Sequence, residues 1–153
     1  MAPLSESGGV IAVEALAYLG DAAMEVLIRE RLVKSGLCSS KRLNDASLAY
    51  VKATAQSEAL EKMLPHLSEA EEATYKRGRN LGHGKNTPKS ASVSEYRRAT
   101  GLETLFGQLY LDGDTQRMNE LLDIGYPDLR GSAECRMQSE GEFSPLAKIF
   151  RLN

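Results

Sequence analysis

Residues 10–33 read VIAVEALAYLGDAAMEVLIRERLV, apolar on nearly every side until Glu30, the pattern of a central helix covered by its neighbours. Gly20 and Asp21 interrupt it. A glycine inside a helix costs about 1 kcal/mol relative to alanine, so its usual reason is the close approach of another backbone, side chain or ligand. A carboxylate among so many apolar neighbours must be paired, metal-bound or protonated, because an isolated buried charge is very costly. A structural Asp paired with an arginine meets that requirement as well as a functional one does, and the segment alone leaves both open.

Working outward, the pattern stays helical. Gly36 is a stop signal, and a second helix is expected over residues 41–63, with Leu43, Ala46, Ala49, Tyr50 and Ala53 at helical spacing and Pro65 beyond its end. Ser68 opens SEAE, a capping-box pattern with Glu71, for a third helix ending at Lys76 or Arg79. Gly82, Gly84 and Pro88 mark a loop, after which Ser92 or Ser94 caps a fourth helix through Tyr110, and a fifth covers residues 115–122. Past Gly125 periodicity fades, so a loose tail is expected in which only PLAKIF (145–150) docks. The expected fold is all-α, with one domain over residues 10–125 and a tail over 126–153. Tyr18 and Tyr110 are read as packing residues with a hydroxyl handle.

Glu103 repeats the anomaly of Asp21: in ATGLETLFGQLYL (99–111) it is a lone acid on an apolar stretch, with Thr100 and Gly107 at i−3 and i+4. If the first and fourth helices pack together, Asp21 and Glu103 can share a divalent cation, and hard oxygen ligands with retained water suit Mg²⁺ rather than zinc. Glu14 and Glu25 fall roughly on the face of Asp21, where solvated acids are the plainer reading. Cys38 and Cys135 show no metal-ligand spacing. His66 reads as a turn or surface residue and His83 as part of a basic loop.

The net charge of −2 speaks against a protein basic all over, yet KRGRNLGHGKNTPKSASVSEYRR (76–98) sets Lys76, Arg77, Arg79, Lys85, Lys89, Arg97 and Arg98 against the single acid Glu95. Any polyanion contact is therefore expected there, with Asn80 beside it; the plainer reading is a solvated surface, with Arg97 or Arg98 paired within the fold. No 18-residue apolar stretch or basic-then-apolar leader is seen, so an unexported cytoplasmic protein away from membranes is expected.

ALAYLGDAAMEV (15–26) resembles the signature helix of ribonuclease III domains in its Mini-ribonuclease III variant, and YKRGRN, TPK and YRRATGLETLFGQLYL resemble the rest of that family's pattern in order. The resemblance covers residues 12 to about 122 and implies the helical fold of the ribonuclease III endonuclease domain. It assigns Asp21 to the catalytic, metal-binding aspartate of the G-D pair and Glu103 to the metal-binding glutamate of E-x-x-x-G. Classical domains carry two more carboxylates, where this chain has Ala17 and Thr100; the mini form resembles this chain at both positions. After the matched part, no double-stranded-RNA-binding domain is expected, again as in the mini form.

The family likeness implies an Mg²⁺-dependent endoribonuclease that hydrolyses double-stranded RNA to 5′-phosphate ends, acting on a ribosomal RNA precursor (23S). The basic segment, Lys76 through Arg98, would read the duplex by its phosphates and 2′ hydroxyls. It also implies a symmetric homodimer, one site per strand. Its expected interface is apolar surface on the first helix, where Leu16, Leu19, Met24, Leu27 and Ile28 exceed what one small helical layer needs. A non-catalytic RNA-binding or ribosome-associated module of the same fold is the alternative, with Ala17 and Thr100 as its argument. A helical DNA-binding protein would need a basic recognition helix rather than a basic loop.

Overall fold

The apolar run around Gly20 forms α1 (Val13–Lys34). It begins after Val10 and Ile11, which are exposed, and ends where Gly36 takes a positive φ of 92°. In this computed structural model, which describes residues 10–81 and 91–129, five further helices follow: α2 (Ser40–Val51), α3 (Ala53–Met63), α4 (Glu69–Arg79), α5 (Val93–Leu111) and α6 (Thr115–Gly125). Single 3-10 turns cover Leu64–His66 and Pro127–Leu129. No strand occurs among the described residues.

The centre of the fold is α5. It packs against α1, α3, α4 and α6, and Leu102, Leu105 and Phe106 are fully buried there. Its two broadest contacts, with α1 and α4, are made through glycine. A Cβ on Gly20 would fall onto the Glu103 carbonyl and lie 2.7 Å from the Gly107 nitrogen, while one on Gly107 would lie 2.8 Å from the Leu16 carbonyl carbon. The backbones of α1 and α5 therefore touch without side chains between them. On the other flank, a Cβ on Gly101 would lie 2.6 Å from the Tyr75 ring of α4.

Capping signals define the helices that bracket α5. Ser68 and Glu71 exchange the two bonds of a capping box at 2.8 and 3.2 Å, as their spacing predicts, and Ser92 rather than Ser94 caps α5 with Glu95 at 2.8 and 3.1 Å. Each such cap contributes about 1 kcal/mol. Glu71 also receives a bidentate Arg117 from α6 at 2.8 and 3.0 Å, and Arg117 holds its carboxyl below the usual carboxylate range.

Three expectations need correction. The helix expected over residues 41–63 is two helices, because Lys52 is extended (φ −65°, ψ 145°). No Gly or Pro forces the break; it lets Ala46 pack towards α1 while Ala59, Leu60 and Met63 pack towards α5 and α6, a tertiary gain that overrides local propensity. Tyr18 and Tyr110 are not packed: they are 85% and 54% exposed. The chain also stays packed beyond Gly125, with Tyr126 and Leu129 buried. The Tyr126 hydroxyl donates to the Tyr50 carbonyl at 3.0 Å. Arg31, buried on α1, donates to Asp123 at 2.7 Å and to the carbonyls of Asn119 and Leu129, both at 3.1 Å.

Because the α1–α5 contact has no room for a methyl group, Gly20→Ala is expected to destabilise the protein by about 3 kcal/mol. That corresponds to a loss of roughly 10 °C in melting temperature, measurable by circular dichroism; a variant melting within 2 °C of the parent contradicts the contact.

Candidate active site

The contact between Gly20 and the Glu103 backbone puts the next residue on α1, Asp21, beside Glu103. Glu103 lies deeper. Burial first, and then the charge of Asp21, push its carboxyl up to about 8. Asp21 stands at the open edge of the site, raised above its ordinary value by partial burial and then by the charge of Glu25. Among the described residues neither carboxylate has an arginine, lysine or hydroxyl partner, so the arginine pair that was the structural alternative for Asp21 is not seen among them. Two facing acids without a counter-charge are costly unless one holds a proton or a cation lies between them.

The residues around the pair contribute shape. Ala17 is buried, and Thr100 is buried with its hydroxyl donating to the Tyr96 carbonyl at 3.0 Å. Thr104, fully buried, donates to the Thr100 carbonyl at 2.7 Å. These side chains serve the helix seam and supply no carboxylate. Glu25 is ion-paired with Arg29, and Glu14 is exposed on the first turn of α1. No cluster of three or more His, Cys, Asp or Glu side chains able to hold a metal occurs among the described residues. The donor set is thus two carboxylates, which fits an ion that keeps most of its water, as Mg²⁺ does, and does not fit a zinc cage.

The basic residues divide into two kinds. Lys76 is paired with Glu72 at 2.7 Å, and Arg77 is exposed on α4 with one long contact to Thr74 at 3.5 Å. Arg79, Asn80, Arg97 and Arg98 come together in one hollow between the end of α4 and the start of α5. Arg98 is tied into the fold by Glu61 at 2.9 Å, a partner no local signal announces. Lys85, Lys89 and His83 lie outside the described residues. Sequence reasoning also missed an apolar groove lined by Leu19, Ala22, Val26, Leu27, Tyr110 and Met118.

The family model of the Ribonuclease III domain matches residues 14–114, nearly the whole of α1 through the turn after α5, both acids included. Mini-ribonuclease 3 of Symbiobacterium thermophilum is 47% identical over 108 residues, which cover 70% of this chain and 82% of that protein. The chain belongs to the Mini-ribonuclease 3 family. Mini-ribonuclease 3 of Enterococcus faecalis is 42% identical over 111 residues, covering 71% and 83% of the two chains. A crystal structure of a Fusobacterium nucleatum protein superposes with a TM-score of 0.69 at 32% identity, covering 78% of this chain and 95% of that one. The all-helical Mini-ribonuclease 3 architecture expected from the sequence is therefore the one observed. No helix among the described residues is long and apolar enough to cross a membrane.

The raised carboxyl makes stability depend on pH. With a folded value of about 8 against 4.5 for the free group, metal-free folded protein keeps a proton that the unfolded chain releases, so stability falls as pH rises from 4.5 towards 8 and is not penalised below 4.5. Glu103→Gln removes the penalty. In the presence of a chelator, the variant should melt clearly above the parent at pH 8 and together with it near pH 4; equal melting at both values shows that Glu103 is not held protonated.

Proposed function

We propose that this chain is an Mg²⁺-dependent endoribonuclease that cuts both strands of duplex RNA as a homodimer and acts on a ribosomal RNA precursor (23S). Family membership makes it an endoribonuclease of the ribonuclease III type, hydrolysing phosphodiesters to 5′-phosphate ends. The observation that supports the metal is the facing pair Asp21 and Glu103, uncompensated by any cation among the described residues. A hydrated Mg²⁺ held between them would supply an activated water and neutralise charge at the scissile phosphate. The protein's own part is to hold the two acids at a fixed separation through the α1–α5 backbone contact, and to leave the Asp21 side open to solvent and substrate. The arginines at the α4–α5 junction supply the phosphate contacts that a duplex requires.

Replacing Asp21 by Asn or Glu103 by Gln should lower the rate on a labelled RNA duplex by at least about 100-fold while duplex binding survives, since each removes a metal ligand and not the grip. Gel-based cleavage and filter binding separate the two effects. A variant that cuts at near the parental rate with Mg²⁺ refutes its assignment, and a parent chain that binds duplex but never cuts it favours the non-catalytic module.

The support for a dimer differs from what the sequence suggested. Leu16, Met24, Leu27 and Ile28 are used by the protein's own core. Among the described residues, exposed apolar side chains gather instead at Tyr18, Val26 (63% exposed), Tyr110 and Leu111, around the groove noted above. An isologous contact through this face brings two Asp21 sites to one side of the assembly, one for each strand. Val26→Asp should give a species of 16.7 kDa in sedimentation equilibrium at micromolar concentration, folded by circular dichroism but unable to make paired cuts. Sedimentation of the parent as a monomer that still makes paired cuts rules the dimer out.

A further inference from the structure

Among the described residues, the hollow at the α4–α5 junction is lined by Arg79, Asn80, Val93, Ser94, Arg97 and Arg98, none of them a carboxylate. Its donors are held in place. Arg79 lies over the Tyr75 ring, 5.7 Å from the centroid, and its Nε donates to the Asn80 side-chain oxygen at 3.2 Å. Arg98 is fixed by Glu61 at 2.9 Å and the Ser57 carbonyl at 3.4 Å, while its buried Nε has no acceptor. Arg97 is exposed and forms no ion pair among the described residues.

The start of α5 adds to this. The capping box takes up the amides of Ser92 and Glu95, which leaves those of Val93 and Ser94, at the first two positions of a 19-residue helix, without an intrahelical acceptor. Glu95, in the first turn of α5, is turned back onto the Ser92 amide, and Glu61 is taken up by Arg98. Two free helix-terminal amides, the Asn80 side chain and the guanidinium groups of Arg79 and Arg97, which have no acid partner among the described residues, form a donor set beside the Glu61-anchored Arg98, the chemistry of a phosphate seat.

We propose that this hollow is a phosphodiester site that seats one backbone phosphate of the duplex a few nucleotides from the bond to be cut. Arg97 and Arg79 are then positioning residues that fix where the cut falls. The inference rests on the endoribonuclease reading above and adds the geometry of registration. Arg97 and Glu103 are six residues apart on one continuous helix, roughly 9 Å at 1.5 Å per residue. A phosphate held at one end and an acid pair at the other thus define a fixed offset along the strand. Arginine suits the task better than lysine, because its planar fork binds two phosphate oxygens and resists rotation.

The test combines binding and cutting on the full-length chain. Inorganic phosphate titrated into protein labelled at arginine nitrogen and backbone amide should give saturable NMR shifts at Arg79 and Arg97 and at the amides of Val93 and Ser94; small, uniform shifts over all arginines overturn the proposal. On duplex RNA with one preferred cut, Arg97→Ala should raise KM about tenfold with kcat little changed and spread products over neighbouring positions. Arg97→Lys should restore part of the affinity but not the single cut, and Arg42→Ala, an exposed arginine on α2, should do neither. Full rescue by Arg97→Lys, or a spread equal to that of Arg42→Ala, overturns the seat. Duplexes with 5′-hydroxyl and 5′-phosphate ends should behave alike; an effect confined to phosphorylated ends overturns a backbone site in favour of a terminal one. If the parent cuts no duplex, the enzymatic reading fails, and the phosphate titration then decides the hollow by itself.

Discussion

The backbone contact between α1 and α5 governs the rest of this molecule. Two glycines, Gly20 and Gly107, are spent on letting one helix lie against the carbonyls of the other, at a propensity cost of about 1 kcal/mol each. The return is positional accuracy. Side chains between two helices can repack, whereas backbones in direct contact fix the separation and rotation of both. Asp21 follows Gly20 and Glu103 is the residue Gly20 touches, so the precision of the contact becomes that of the acid pair. Gly78 and Gly101 repeat the device between α4 and α5, which sets the basic end of α4 relative to the same central helix.

The electrostatics follow from that scaffold. A net charge of −2 hides a division of labour: among the described residues, acids without counter-charge stand at the α1–α5 crossing, and Arg79 and Arg97 stand without an acid partner in the hollow at the α4–α5 junction, beside an Arg98 tied to Glu61. The acid pair, Arg79 and Arg97 are not neutralised among the described residues, although Glu71 with Arg117, and Arg31 with Asp123, show that the chain pairs its charges where only stability is at stake. Uncompensated charge costs stability and is retained where a ligand completes it.

Much of the fold was legible because its signals are local. The capping box at Ser68 needs only four residues to be read and appears where the spacing puts it, whereas the sequence left Ser92 and Ser94 open and the box with Glu95 selects Ser92. Asp21 and Glu103 stood out for the opposite reason, as acids that break good core sequence. Their meeting was not readable from spacing, since it depends on where α5 crosses α1. The break at Lys52 left no trace because no residue there forbids a helix; the choice is made by what α2 and α3 bury. Tyr18 and Tyr110 show the same limit. Periodicity says which residues share a face but not whether anything in the same chain covers it. The tie between Arg98 and Glu61 spans 37 positions and no pattern predicts it.

Arg31 shows that this unit of folding extends beyond its two apparent borders. The family match ends at residue 114, and hydrophobic periodicity fades near Gly125, yet the guanidinium of a helix-1 residue closes on the carbonyl of Leu129, 98 positions away. A fragment trimmed at either apparent border would keep both helices of the crossing yet lose the Leu129 acceptor of the buried Arg31, and at residue 114 also Asn119 and Asp123, with Tyr50 stripped of its aromatic neighbour in both cases. Cooperativity, not helix content, therefore marks the border. Anyone grafting or shortening this scaffold has to carry the turn Pro127–Leu129 along, because it clasps a first helix that lies far from it in sequence.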